Sequence, residues 1–389
     1  MQSSRDRTCE RPAVKVLRIL RAPVGGIGKL VRDLCVYAPD DVSTTLVTSF
    51  DAMDPGFEAG YQSLSDALED SLNLVIETGP RARDLSNMWK IYRRVCTQRF
   101  DVIHGHGAKG GFYARCLGFV LRVPVVYSPH GGSFHAVHGA LLNRVYHTLE
   151  RILYGWTDAL VCDSDVFRQE VIDRIGDREK KIQTVVIGIE IDESSEPREI
   201  DEGARIDIAA FGFLRRLKGH DVLIRSIAIV KDSGFDVHAH IYGRRYLSEG
   251  EYQVLPDLIQ ELDLEDCVSL EGETSDVPTA LAACHIVVHP SRFEALSYVP
   301  LEAMNARRPV IVSAVGGLKD IVTHETNGFR FESENSDDLA RMIIRMIESH
   351  DERRAMIEDA SVKLAKRFDR RVVVDRWVCL YKELMRGRS

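Results

Sequence analysis

Glu294 and Glu302 lie in the run IVVHPSRFEALSYVPLEAMNARRPVIVSAVGG, from Ile286 to Gly317, with seven residues between them. An ionised carboxylate accepts hydrogen bonds at both oxygens, which suits the vicinal hydroxyls of a ribose or a hexose. Ile286-Val287-Val288 is a short apolar run of the kind that makes a buried strand. A loop is expected over residues 290–299. A helix is expected to begin at Pro300, whose missing N–H is no loss at the first helical position. The N–H groups of Ser297, Tyr298 and Val299, beside that start, suit a phosphate. Val310-Ile311-Val312 is expected as the next strand, with Gly316-Gly317 in a loop beyond it. Strand, helix and strand make one βαβ unit of a parallel sheet, which binds ligands beyond its strand carboxyl ends. Two carboxylates flanking a phosphate site match ribose, diphosphate and sugar, the layout of a sugar nucleotide. For the pair taken alone an ordinary alternative stays open: Glu302 complements the helix dipole and Glu294 is a solvated loop charge.

Other groups with chemical promise also follow apolar runs. Gly25 and Gly26, in PVGGIGKL, let backbone approach a ligand and offer N–H groups to an anion, or form a plain tight turn. The run is no Walker A loop, because Pro23 stands where the first glycine should be and Leu30 replaces Ser or Thr. Its glycines are too close together for the dinucleotide fingerprint. His130 stands in VVYSPHGG at an expected strand end before a flexible glycine pair. His106 and Lys109 occupy a similar loop, DVIHGHGAKGG, at another expected strand end. In GFLRRLKG, Arg215, Arg216 and Lys218 precede a helix whose dipole they oppose, which points to a bound anion that offsets the cost. A departing nucleoside diphosphate gains charge in the transition state, and such cations stabilise it. Asp163-Ser164-Asp165 spells a metal-binding Asp-x-Asp but sits where a helix N-cap is expected, and we assign it to capping.

PSRFEALSYVPLEAMNARRPVIVSAVGG closely resembles the donor-site signature of family 4 glycosyltransferases, which are retaining enzymes of GT-B architecture. The resemblance implies two Rossmann-like α/β domains with parallel sheets, facing across a cleft. It implies that Glu294 contacts hydroxyls of the donor sugar, that Glu302 contacts the nucleotide ribose, and that His130 approaches the sugar near the reaction centre. Lys218 matches the lysine of the family's Gly-Arg-Leu-x-x-x-Lys-Gly, whereas Phe213 occupies the arginine position. Arg215 is the candidate substitute, ahead of Arg216. Ala295-Leu296-Ser297 replaces the frequent Gly-Phe-Gly. The catalytic assignment is therefore Glu294, His130, Arg215 and Lys218, with Gly25, Gly26, Glu302, Ser297, Tyr298 and Val299 binding the nucleotide sugar. No metal and no cofactor beyond that substrate are expected. The implied reaction moves a sugar to a hydroxyl of a glycan or lipid-linked acceptor, as in cell-surface polysaccharide synthesis. A sugar-nucleotide epimerase of the same architecture and a non-catalytic sugar-nucleotide binder are the alternatives.

These residues need two sheets to carry them. At 389 residues the chain is long for one core. Strand and helix patterns alternate throughout, as in α/β proteins. Strands are expected at residues 14–20, 44–48, 72–76, 101–104, 125–128, 159–162 and 181–186. A second series is expected at 206–211, 238–242, 268–270, 286–289 and 310–312. Residues 190–203, dense in charge, read as an exposed linker. The expected domains are 13–189 on the acceptor side and 205–366 on the donor side. A helix over 371–387, with an apolar stripe through Val373, Trp377, Leu380 and Leu384, is implied by the resemblance to cross back to the first domain. A formal charge of -8 argues against a dedicated nucleic-acid binder. The eight cysteines show no C-x-x-C spacing, which fits reduced thiols in a cytoplasmic protein. Residues 1–12 form a polar tail without the apolar core of a signal peptide. The basic segment from Trp89 to Val95 reads as a solvated helix face ahead of a lipid contact, so peripheral membrane attachment stays open.

Overall fold

The computed structural model describes residues 14–53, 57–58, 60–79, 81–134, 140–177, 181–201, 203–245 and 249–387. The expected tail at 1–12 lies outside the described residues. Among those described, the chain folds into two compact units, each built on a parallel sheet.

The first sheet contains β1 (Val14–Leu20), β2 (Val42–Thr48), β3 (Asp70–Asn73), β4 (Val102–His106), β5 (Val125–Ser128), β6 (Ala159–Cys162) and β7 (Ile182–Thr184). Their order is β3-β2-β1-β4-β5-β6-β7. The connecting helices are α1 (Gly25–Val36), α2 (Tyr61–Ala67), α3 (Arg83–Val95), α4 (Gly107–Leu121), α5 (Ala140–Tyr154) and α6 (Asp165–Ile175). Alternation along β1 divides the core between the two faces. Leu17 and Ile19 pack with Ile91 of α3 and Leu117 of α4, whereas Leu20 packs with Val31 of α1 and Leu64 of α2.

The second sheet contains β8 (Ile206–Phe211), β9 (Val237–Tyr242), β10 (Val268–Gly272), β11 (Ile286–His289), β12 (Val310–Ser313) and β13 (Phe329–Phe331), in the order β10-β9-β8-β11-β12-β13. Its helices are α7 (His220–Asp232), α8 (Glu249–Glu261), α9 (Val277–Ala283), α10 (Tyr298–Asn305), α11 (Leu318–Ile321), α12 (Ser336–Glu348) and α13 (His350–Lys363). One apolar cluster joins Ile208 and Ile241 to Leu223 and Ile227 of α7 and Leu339 and Ile343 of α12. The last helix, α14 (Arg370–Arg386), is shared, with residues 374–389 belonging to the first unit.

Several details differ from expectation, and β13 is a strand that the sequence reading did not name. β3 covers Asp70–Asn73 rather than 72–76, because its pairing with β2 (Thr45 opposite Asp70, Thr48 opposite Asn73) sets the strand, and the apolar Leu74 and Ile76 are buried just beyond it. α10 begins at Tyr298, so Pro300 is its third residue and Glu302 lies past the first turn. A proline there still removes only an N–H that has no helical partner. Residues 190–203 are strapped down rather than free: the Arg308 guanidinium donates to the Glu196 carbonyl at 2.9 Å and the Asn305 amide to the Glu190 carbonyl at 3.0 Å. The second unit comprises 162–174 and 184–373, so α6 lies largely within it.

Candidate active site

In the second unit, the candidate residues gather at the carboxyl ends of the neighbouring strands β8, β11 and β12. Lys218 leaves the loop after β8 through a single tight turn, Arg216–Lys218. Glu294 leaves the loop after β11. The Lys218 Nζ donates to Glu294 Oε1 at 2.5 Å, across 76 positions of sequence. Ser291 Oγ donates to the same oxygen at 2.9 Å, and His289 Nε2 stands 3.0 Å from it. A carboxylate only accepts, so this geometry puts the His289 proton on Nε2. Burial alone would raise the Glu294 carboxyl pKa; the Lys218 ammonium and His289 outweigh it and hold the group well below the usual carboxylate range. None of these three contacts uses Oε2.

The loops are fastened to one another. Arg292 grips Asp221 of α7 with two bonds of 2.8 Å, Glu334 with one of 2.8 Å, and the Arg216 carbonyl with one of 2.5 Å. It thereby ties the basic loop to the Glu294 loop. Gly219 has φ +69°, and a Cβ there would stand 2.0 Å from the Pro290 carbonyl oxygen. Gly316, at φ +40°, would meet the Glu294 carbonyl oxygen at 2.0 Å. Only glycine permits these approaches. Gly317 donates its N–H to the same Glu294 carbonyl at 2.9 Å. Ser164 caps α6 by accepting from the Phe167 N–H at 3.1 Å, in keeping with the capping assignment, and it also donates to the Ala295 carbonyl at 2.7 Å.

Of the remaining donor-side candidates, Glu302 is half-buried on α10. Ser297 is the extended N-cap of that helix, with Tyr298 and Val299 as its first two residues. Arg215 is half-buried and Arg216 exposed. Sequence reading missed His289, Ser291 and Arg292 as partners. His289 reads as the tail of an apolar strand, and Arg292 falls at a variable place in Pro-Ser-x-x-Glu.

In the first unit, Gly25 and Gly26 are exposed at the start of α1, just beyond β1. His130 follows β5 and holds a left-handed backbone at φ +50°, which is uncommon for a residue with a Cβ. Its Nε2 stands 3.1 Å from Nδ1 of His106, and the two rings lie parallel. Burial drives the His106 pKa well below its ordinary value, so that ring is neutral. Lys109 points elsewhere: it bonds Asp84 of α3 at 2.5 Å, and Tyr113 reaches the same carboxylate at 2.6 Å. A group the sequence did not disclose lies beneath His106. The Arg18 guanidinium donates to Tyr381 Oη at 2.8 Å, and that hydroxyl is also 2.8 Å from His104 Nδ1. Trp377 packs on the His104 ring, within the part of α14 that belongs to the first unit.

The sequence matches the family described as Glycosyltransferase Family 4 over residues 24–193 and Glycosyl transferases group 1 over residues 190–363. It is 23% identical over 304 residues to the Escherichia coli UDP-Gal:alpha-D-GlcNAc-diphosphoundecaprenol alpha-1,3-galactosyltransferase, covering 73% of this chain and 77% of that protein. It is 28% identical over 318 residues to D-inositol 3-phosphate glycosyltransferase 1 of Catenulispora acidiphila, covering 74% of this chain and 73% of the relative. Among solved structures, Anabaena HepE in complex with UDP and glucose superposes with a TM-score of 0.81 at 21% identity, covering 95% of this chain and 100% of that one.

Proposed function

Because the chain belongs to the family 4 glycosyltransferases of GT-B fold, we propose that it moves a sugar, with retained anomeric configuration, from a nucleotide-diphosphate sugar to a hydroxyl of a glycan or lipid-linked acceptor. The observation that carries this reading is the Lys218–Glu294 pair at the ends of adjacent strands. An ammonium has three protons, and the bond to Glu294 uses one, which leaves donors for the diphosphate. Lys218 and Arg215 neutralise the leaving nucleoside diphosphate, without a metal ion in that role. Glu294 Oε2 accepts from hydroxyls of the donor sugar, Glu302 accepts from the ribose, and the N–H groups at the start of α10 face the phosphates. His130, held by His106, positions the sugar, and Gly25 and Gly26 present backbone N–H groups. No second carboxylate is assigned as a nucleophile. The departing phosphate oxygen takes the acceptor proton on the face it leaves, and the site's work is positioning and charge stabilisation. A lipid-linked acceptor in polysaccharide assembly is supported by the name of the Escherichia coli relative.

The test is an assay of nucleoside diphosphate release from a panel of nucleotide sugars, with and without lipid-linked and glycan acceptors, and with and without a chelator. Acceptor-dependent release that survives chelation and falls about 10²–10³-fold in Glu294→Ala and Lys218→Ala supports the reading. Full activity in the double variant rejects the site. Conversion of a nucleotide sugar with no acceptor present points to an epimerase instead.

A further inference from the structure

Arg18 sits in the middle of β1 at 1% exposure. A guanidinium stays charged inside a protein, and burying one without a counter-charge is costly. Its hydrogen bonds nevertheless go to neutral acceptors: Tyr381 Oη at 2.8 Å, His104 Nδ1 at 3.2 Å and, at 3.5 Å, the Leu34 carbonyl. Among the described residues no carboxylate accepts from it. Two titratable groups of α1 stand nearby. Burial pushes the Cys35 thiol up and leaves it uncharged, and Asp33 pairs with Arg32 at 3.4 Å. Burial likewise raises the Tyr381 phenol. A charge kept in such surroundings calls for a task beyond filling the core.

The bonds around it run in one direction. Arginine only donates, so Tyr381 Oη accepts from Arg18 and gives its own proton to His104 Nδ1 at 2.8 Å. With Nδ1 accepting, the His104 proton stands on Nε2 and is donated to Ser128 Oγ at 3.0 Å. That ring is neutral, because burial and then the Arg18 charge drive its pKa well below the ordinary value. Arg18 lies opposite His104 across β1 and β4, and Ser128 lies opposite His106 across β4 and β5. The chain of bonds therefore climbs from the middle of the sheet to its strand ends. His106, two residues along the same face of β4, lies against the His104 ring with centroids 3.8 Å apart. It meets His130 at 3.1 Å. Burial first, then His104, His130 and Arg18, disfavour a second proton on His106.

We propose that Arg18 is a positioning residue: it starts a one-way hydrogen-bond chain that fixes the His104 ring, on which His106 and then His130 are seated. Held this way, His104 and His106 stay uncharged beside His130. A positive ring there would oppose the positive charge that the sugar carbon gains as its bond to the diphosphate breaks. Arg18 itself touches no substrate in this role. The effect on activity rests on the proposed part of His130, whereas the protonation assigned to His104 and His106 belongs to the first unit alone.

Nitrogen-15 spectra of the histidine rings in the full chain, assigned with His104→Gln and His106→Gln, read the protonation. The wild type should carry the His104 proton on Nε2, with both rings unprotonated at about pH 6. In Arg18→Met, close to the same size, one of the two rings should take up a proton about one pH unit or more higher than in the wild type. Arg18→Lys, still a charged donor, should return the wild-type pattern. Acceptor-dependent turnover against pH reads the consequence. Arg18→Met should lose about tenfold in kcat at about pH 6 and regain most of it by about pH 8, with the donor KM within about twofold. Arg18→Lys should regain most of the turnover at both. A wild-type proton on His104 Nδ1 overturns the inference, and that result needs no variant to fold. Identical ring titrations in the wild type and Arg18→Met overturn it too. A loss in Arg18→Met that is equal at every pH marks a mere pin between β1 and α14, and is a third contrary result. Rings that behave as expected in a protein that transfers no sugar support the assignment to Arg18 and reject the reading of the reaction instead.

Discussion

Lys218 and Glu294 are each nearly enclosed, at 16% and 12% side-chain exposure, so each depends on the other for charge compensation. A double-mutant cycle of Lys218→Ala and Glu294→Gln, read by urea unfolding, should give a coupling of about 1–3 kcal/mol, and additive effects would contradict the pairing. Acid should also weaken the fold before the carboxylates titrate. Burial lowers the His220 pKa from 6.5 to about 4, and it lowers His104 and His106 well below their ordinary value. As pH falls from 6.5 toward 4, the unfolded chain takes up protons that the native chain refuses, so unfolding free energy drops. The Glu294 contribution, from a depressed carboxyl, is present above the ordinary carboxylate pKa and disappears only at still lower pH. Urea midpoints that stay constant between about pH 7.5 and pH 5 would refute the neutral-histidine assignment. Lys218 and Glu294 were singled out in the sequence because their loops resemble the family 4 motifs, whereas the pair of acids taken alone left an ordinary alternative open. Arg18 was not, since an arginine within VKVLRIL acquires its role only when Tyr381 arrives from the other end of the chain.

At the scale of elements, the site depends on loops that touch backbone to backbone. Gly219→Ala and Gly316→Ala should each cost roughly 2–4 kcal/mol or prevent folding, because the new Cβ meets a carbonyl oxygen as well as a strained φ. Gly25→Ala faces open space at φ +58° and should cost only about 1 kcal/mol. Equal losses at all three positions in chemical denaturation would show that close approach is not the constraint. The strand β11 was legible because Ile286-Val287-Val288 is apolar and fully buried on both faces. β3 was not, since an edge strand takes its limits from its neighbour's register rather than from its own hydrophobicity.

Over the whole molecule, the two-sheet organisation was readable from the alternation of strand and helix patterns. The assignment of 162–174 to the second unit had no compositional mark, because it is set by partners such as the Ala295 carbonyl. The return of α14 was foreseeable as an amphipathic stripe, although Tyr381, buried beside Trp377, lay outside the expected stripe. Trp377→Ala should destabilise the first unit by about 3–5 kcal/mol. Tyr381→Phe should do so by about 1–3 kcal/mol, as Arg18 and His104 lose a shared partner. Hydrogen exchange resolved by unit checks this, and uniform loss across both sheets would contradict the seating of α14 on the first. The central claim, that the second unit grips a diphosphate with Lys218 and its sugar with Glu294, is tested most directly by calorimetric titration. Wild type, Lys218→Ala and Glu294→Gln are compared across a panel of nucleoside diphosphates and their sugars. Lys218→Ala should weaken both the free diphosphate and its sugar about tenfold or more, whereas Glu294→Gln should weaken the nucleotide sugar alone. Wild-type affinity in both variants, or no binding of any nucleotide sugar by the wild type, would contradict the account.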